Sequence, residues 1–427
     1  MLQTLYYIPN EIAGVPVFGF GWLLAIWTVG SAVFLIWQTA RQGLNAEMLG
    51  HVPLILIVAG AIWLVLPRIC EPQGLPIRGY GVMVTIAVSA AVGLAVWRGL
   101  RMGVDPEMVL TLTFWTFVPG IVGARTFYVI EYWPDFQRET MGATLIAIVN
   151  LTQGGLVVYG SILGGFLGFV GFVLKYRLPA LPTLDLIAPS LLLGIALGRI
   201  GCLLNGCCFG GPCDLPWAVR FPPGSPPHRH QIRHGETFLH GLKIAGPPGA
   251  PPVITEVEPG SPAEVHGLES GQVIAAIGGY PVETVAQAQE LLLGIHETGA
   301  TVAIRVEGRD ATSRWRLDRP PAGSEPVHPT QIYSAINALV LLLFVLAYAP
   351  FRRRDGELWA LVITLYPATR ILLEFIRTDE PGVLGKHLTI SASLSLAVLV
   401  CAAGFWIYLR MRPRKTTWVW EGLDSAA

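Results

Sequence analysis

The fold can be read from residues 186–210, Leu186-Ile187-Ala188-Pro189-Ser190-Leu191-Leu192-Leu193-Gly194-Ile195-Ala196-Leu197-Gly198-Arg199-Ile200-Gly201-Cys202-Leu203-Leu204-Asn205-Gly206-Cys207-Cys208-Phe209-Gly210. It begins as an apolar run, Leu186 to Leu197, long enough with its flanks to cross a bilayer, which takes about 20 apolar residues. Where that run meets water stand Arg199, Asn205 and three cysteines, and interspersed glycines let backbone approach backbone closely. An arginine at the end of a membrane helix is costly unless it reaches water or has a partner. Arg199 therefore marks either a helix anchor or a binding site, and the other spans decide between the two.

The rest of the chain is equally apolar. Of 427 residues, 52% are hydrophobic and only 14% charged, with a mean hydropathy of +0.54; soluble domains carry about 25% charged residues. The sequence specifies a polytopic α-helical membrane protein. About nine stretches are candidate transmembrane helices: 17–38, 51–67, 79–98, 108–131, 156–175, 186–204, 332–350, 358–377 and 388–409. The second is the shortest, and Thr144 to Val149 is too short to cross. Lys+Arg and Asp+Glu balance at 29 each, so charge gives no sign of a nucleic-acid partner and none is expected. Met1 to Val17 lacks a basic segment, so no cleavable signal peptide is expected.

Basic residues mark alternate loops: Arg41; Arg98 and Arg101; Lys175 and Arg177; Arg352, Arg353 and Arg354; then Arg410, Arg412, Arg414 and Lys415. The positive-inside rule puts these in the cytoplasm. The N-terminus and the insertion between spans six and seven are then expected outside, and the C-terminus, with a tail over 411–427, inside. Pro16-Val17-Phe18-Gly19-Phe20-Gly21 and Pro76-Ile77-Arg78-Gly79-Tyr80-Gly81 each open a span. Partial duplication and chance both account for that echo, and only the second copy carries a tyrosine hydroxyl and an arginine.

The insertion, 215–327, changes character. A linker rich in proline and histidine (Pro222 to His234) leads into a soluble pattern. Val253 to Val257, Gln272 to Ile277 and Thr301 to Val306 read as strands. Ala263 to Leu268 and Thr284 to Leu293 read as helices. The run Val257-Glu258-Pro259-Gly260-Ser261-Pro262-Ala263, continued by Gly267-Leu268, Gly271, Val273-Ile274, Ile277 and Gly279, resembles a PDZ domain over about 250–318. The resemblance implies a small α/β module that binds a peptide or protein ligand by adding a strand to a sheet edge. Gly241-Leu242-Lys243-Ile244 is the nearest candidate for its carboxylate loop and departs from the family pattern; a spacer packed on the membrane domain is the alternative. The linker histidines lack acidic or cysteine partners at ligand spacing, and no metal or cofactor is expected.

Polar groups recur where the spans meet one interface: Tyr80, Arg125, Tyr159, Arg199, Asn205, His328-Pro329-Thr330-Gln331-Ile332-Tyr333, and Tyr366, Arg370, Glu374 and Arg377. Tyr366, Arg370 and Glu374, spaced i, i+4 and i+8, share one helical face. Two arginines facing one cavity suit an anionic head group, because guanidinium binds phosphate oxygens bidentately and stays charged. Glu374, four residues from Arg370, would orient it. Arg125 could equally be structural, held by Glu131 or a carbonyl.

With Gly198-Arg199-Ile200-Gly201 and Asn205-Gly206, His328 to Tyr333, and Arg370-Ile371-Leu372-Leu373-Glu374-Phe375-Ile376-Arg377, the chain resembles the prolipoprotein diacylglyceryl transferases. The resemblance covers about 76–210 and 326–410, a seven-helix core in two parts (76–214 and 328–410) with an extra pair of spans before it in 1–75. It implies an enzyme of the bacterial inner membrane. Such an enzyme moves the diacylglyceryl group of phosphatidylglycerol to the lipobox cysteine of a prolipoprotein signal peptide, leaving glycerol phosphate. It implies catalytic roles for Arg199, Arg370, Glu374 and Tyr159, and phosphatidylglycerol binding by Arg199, Arg370, Tyr80, Asn205, Tyr366, His328 and Gln331. Many members have histidine at the position of Tyr159, asparagine at Cys202 and glutamate at Cys207. An inactive membrane scaffold that recruits partners through its PDZ-like domain is the alternative. Cys202, Cys207, Cys208 and Cys213 admit a disulfide, a zinc site or simple packing.

Overall fold

The structure is a computed structural model that describes residues 4–43, 46–138, 140–150, 154–247, 249–298, 300–309, 311–316, 323–377, 382–384 and 388–416. Eight of its helices are long and apolar enough to cross a membrane: Trp22–Arg41, Gly50–Ile69, Gly79–Arg101, Pro106–Glu131, Val158–Tyr176, Ala180–Asn205, Thr330–Phe351 and Ser391–Met411. The remaining expected span forms the 18-residue helix Glu357–Glu374. It is less apolar than the others because Glu357, Arg370 and Glu374 lie within it. Side chains such as Ile26, Phe34, Ile57, Phe114 and Phe166 are exposed, which suits helices solvated by lipid rather than water.

The chain divides into two compact units, one built on Leu2–Thr85 and Val92–Leu186, the other on Ile86–Ala91 and Ile187–Thr416. In the first, the N-terminal strand Thr4–Ile8 pairs antiparallel with Leu75–Arg78, in register from Thr4 opposite Arg78 to Ile8 opposite Leu75. Val15–Pro16 pairs instead with Glu11–Ile12, so the two halves of the sequence echo enter their helices differently. Asp105 caps the helix Pro106–Glu131 by accepting the Glu107 N–H, with proline at the first helical position where no N–H is needed.

That helix and Val158–Tyr176 meet along a line of glycines. A Cβ at Gly160 would lie 2.2 Å from Gly123 O, at Gly164 2.1 Å from Pro119 O, and at Gly168 1.8 Å from Trp115 O. Small residues at i, i+4 and i+8 let backbones approach where lipid gives no hydrophobic drive between helices.

In the second unit the insertion forms the expected α/β module. Its sheet has the order Ser313–Trp315, Val302–Val306, Ile274–Ile277, Tyr280–Pro281, beside the hairpin Leu242–Ala245 with Val253–Val257. The helix Val285–Thr298 covers a core of Leu242, Ile254, Ile274, Ile277, Leu292, Val302 and Ile304. The stretch read as a linker is in part a helix, Pro226–Arg233, and its Ile232 joins that core. Its prolines occupy the first helical turn, where they fit. Buried His228 accepts the Gly224 N–H through Nδ1 at 3.1 Å, so it packs rather than points outward.

Replacing Gly164 by alanine is expected to lower thermal stability in detergent by at least the ~1–3 kcal/mol of an overpacked core. Gly165→Ala, where a Cβ would be 3.5 Å from Thr116 O, is expected to melt like the unaltered protein; a fluorescence-detected melt of both variants checks this.

Candidate active site

Three segments of the second unit converge on Gly210. A Cβ there would lie 2.7 Å from His328 Cβ, 2.8 Å from Thr330 Cγ2 and 3.0 Å from Ile376 O. Backbone bonds lock the junction: Gly210 N donates to His328 O (3.0 Å), His328 N to Gly211 O (3.0 Å) and Gly211 N to Ile376 O (2.9 Å). The loop after Asn205 is thus stitched to the entrance of helix Thr330–Tyr348 and to the end of helix Glu357–Glu374. Thr330 Oγ1 donates to Cys208 O at 2.5 Å and Gln331 Nε2 to Cys207 O at 2.7 Å. Gln331 is fully buried.

Arg199 donates to the Tyr366 hydroxyl and lies within electrostatic reach of Cys202 and Cys208. Because Tyr366 is four residues before Arg370, Arg199 reaches the helix about 6 Å along its axis from the Arg370 backbone. Arg370 is buried and ion-paired with Glu374. Glu374 also accepts Thr389 Oγ1 at 2.7 Å and stands 3.8 Å from Arg377. Three cations, one carboxylate and one phenol therefore meet on one unit, an excess of positive charge suited to an anion. The sequence places Arg377 among the polar groups of the eighth span but off the face shared by Tyr366, Arg370 and Glu374, and Thr389 gives no signal; the fold brings both to Glu374.

Asn205 hydrogen-bonds Cys207. The Cys208 thiol is held below the ordinary thiol range by hydrogen bonds from Cys202 and Cys207 and by the nearby Arg199 and Arg377. Cys213 is buried apart from them, its N–H on Pro326 O. His328 Nδ1 lies 3.3 Å from the Tyr333 hydroxyl, which accepts Trp217 Nε1 at 2.7 Å.

Tyr80 and Tyr159 belong to the first unit. Tyr80 is exposed at the start of its helix, and Tyr159 is half-buried at the start of Val158–Tyr176. Arg125, in that unit, is structural. Its Nε donates to Ile148 O (2.7 Å), Nη1 to Gly154 O and Gly155 O (2.9 and 3.0 Å), and Nη2 to Ala147 O and Asn150 O (2.9 and 2.7 Å). All five guanidinium donors are used, and those on Ala147, Ile148 and Asn150 cap the short helix Met141–Val149, whose last carbonyls have no partner within it.

In the PDZ-like module, Gln289 Nε2 donates to Ile232 O at 2.9 Å and lies 3.5 Å from Ile244 O. The end of helix Pro226–Arg233 is thereby held to helix Val285–Thr298.

The fold and site define a multi-pass membrane protein with a buried arginine–carboxylate cluster and an inserted peptide-binding-type module. A sequence model of the family prolipoprotein diacylglyceryl transferase matches residues 67–246 and 282–408, and one for the PDZ domain matches 253–305. The phosphatidylglycerol–prolipoprotein diacylglyceryl transferase of Rhodopirellula baltica is 34% identical over all of this chain and 91% of its own length. The enzyme of the same name from Clostridium tetani is 23% identical over 82% of this chain and 99% of its own. That from Thermosynechococcus vestitus is 35% identical over 38% of this chain and 60% of its own. The chain belongs to the prolipoprotein diacylglyceryl transferase family.

Lysine cannot reproduce the five-donor fork of Arg125. Arg125→Lys is expected to cut the yield of folded, monodisperse protein several-fold and to lower its melting temperature, read by size-exclusion chromatography and a thermal melt.

Proposed function

We propose that the chain transfers the diacylglyceryl group of phosphatidylglycerol to the lipobox cysteine thiol of a prolipoprotein, with Arg199 and Arg370 holding the phosphate. The observation that carries the assignment of residues is that Arg199 and Arg370 are held through one helix, Arg199 by Tyr366 and Arg370 by Glu374. In the reaction the thiol sulfur attacks the glycerol carbon, a C–S bond forms as the C–O bond breaks, and the proton leaves the thiol. Glycerol phosphate departs with the bonding pair. Guanidinium groups fixed beforehand at the phosphate stabilise the charge that develops on it without reorganising. Glu374 positions Arg370, and Arg377 offsets the charge of Glu374.

Tyr80 is assigned to phosphatidylglycerol binding and Tyr159 to the catalytic step by their motif positions. A phenol with an ordinary pKa of ~10 is a poor base near neutrality. A thiol at ~8.5 already supplies a few per cent thiolate, so phosphate stabilisation outweighs base catalysis. His328 and Gln331 contribute by holding the loop 207–211 beside the arginines, and Asn205 by its bond to Cys207.

The basic loops orient the protein with its C-terminus in the cytoplasm and with the N-terminus and PDZ domain outside. There the domain serves as a module for a peptide or protein ligand.

With purified full-length protein, labelled phosphatidylglycerol and a lipobox peptide, Arg199→Ala and Arg370→Ala are each expected to lose about 10²-fold or more of thioether product formation. Tyr159→Phe is expected to stay within roughly tenfold, below the ~10²–10⁴-fold of a lost general base. Wild-type rates in either arginine variant would overturn the assignment, and no product from the unaltered protein would favour a scaffold. For orientation, alkaline phosphatase inserted after Gly249 is expected to be active and the same reporter fused after Thr416 inactive.

A further inference from the structure

We propose that Cys202, Cys207 and Cys208 form a thiolate site for a thiophilic cation of the Zn²⁺ type, beside the arginine cluster. The three sulfurs all lie within 4.8 Å of one another. Zinc–sulfur bonds of about 2.3 Å in a tetrahedral site put sulfurs roughly 3.8 Å apart, so closure on an ion needs only small side-chain shifts. Three protein ligands leave a fourth position for an exchangeable one.

The backbone is bent to make this meeting happen. Cys207 and Cys208 are adjacent in sequence, and neighbours on one strand or helix do not point at a common centre. Here Gly206 has φ 78° and Cys208, a residue with a Cβ, has φ 61°. Cys207 N donates to Cys202 O at 3.2 Å, which folds the pair back onto the last turn of helix Ala180–Asn205. A left-handed conformation at a non-glycine residue persists only where its surroundings fix it. Thr330 Oγ1 on Cys208 O and Gln331 Nε2 on Cys207 O supply that restraint.

The electrostatics and the neighbouring hydrogen-bonding groups suit the same ligand. Three thiolates around a divalent ion leave one net negative charge, and Arg199 and Arg377 lie near enough to Cys208 to offset it. Gln331 leaves its Oε1 buried without a hydrogen-bond partner; water on the fourth position is a donor of the kind that acceptor needs. A disulfide would join two of the sulfurs and leave the third without a role, whereas an ion uses all three. Cation binding displaces the remaining thiol protons to solvent and involves no change of oxidation state.

The test measures metal, not transfer, so it stands or falls independently of the proposed reaction. The full-length protein is purified in detergent without chelator from zinc-supplemented cells, and zinc is counted by mass spectrometry. About one ion per chain is expected, falling to a trace in Cys202→Ser and Cys208→Ser and unchanged in Cys401→Ser, whose cysteine is exposed on another helix. Cobalt reconstitution of the chelator-stripped protein is expected to give the strong visible bands of a thiolate-rich tetrahedral site, and these bands should vanish in Cys207→Ser. Where a serine variant fails to fold, alkylation of the unaltered protein replaces it: zinc is expected to protect all three thiols together. Unaltered protein with only trace zinc and freely alkylated thiols, or with a Cys202–Cys207 or Cys207–Cys208 disulfide in non-reducing peptide maps, would overturn the proposal.

Discussion

A guanidinium withdrawn from water must have its donors satisfied or its charge paired, because the desolvation of an ion otherwise costs several kcal/mol. In this protein that constraint is met in two ways. Arg125 gives all five donors to backbone carbonyls and becomes part of the scaffold. Arg199 and Arg370 are held by side chains, a phenol and a carboxylate. The first arrangement commits every donor to the scaffold, while the second orients the cations through neighbouring side chains. The same residue type thus serves as architecture in one unit and, in the proposed reaction, as chemistry in the other.

The second unit makes its cluster rigid through backbone rather than side chains. Gly210 admits His328, Thr330 and Ile376 at distances that a Cβ would fill, and three backbone bonds close the junction. Positioning of reacting groups to fractions of an ångström is what such bracing achieves. In the first unit the line Gly160, Gly164 and Gly168 does comparable work between helices. Glycine is thus used in both units for close approach, once between helices and once between loops.

Much was legible from single residues in the sequence. Apolar runs of membrane length gave eight helices that qualify as spans, and the ninth expected segment is a helix too, made less apolar by Glu357, Arg370 and Glu374. The strands of the PDZ domain fall where alternation and the Pro259-Gly260 turn put them. The segment 226–233 was misread as a linker because proline and histidine density resembles a loop. Prolines confined to a first turn, with Ile232 reaching a distant core, make it a helix instead. The four-cysteine cluster proved to be three sulfurs plus an isolated Cys213, a distinction spacing could not make.

By itself the sequence determined the membrane class, the inserted domain and the family, because hydropathy, turn residues and motifs are local properties of the chain. It also named Arg199, Arg370 and Glu374, since charge inside an apolar run is conspicuous wherever it occurs. Only the tertiary structure decided which arginine is held by backbone carbonyls and which by side chains. It alone brought Thr389 and Arg377 to Glu374 and turned Cys207 and Cys208 toward Cys202. Partner identity depends on contacts between segments far apart in sequence, and a local pattern does not encode which carbonyl or carboxylate will lie within three ångströms.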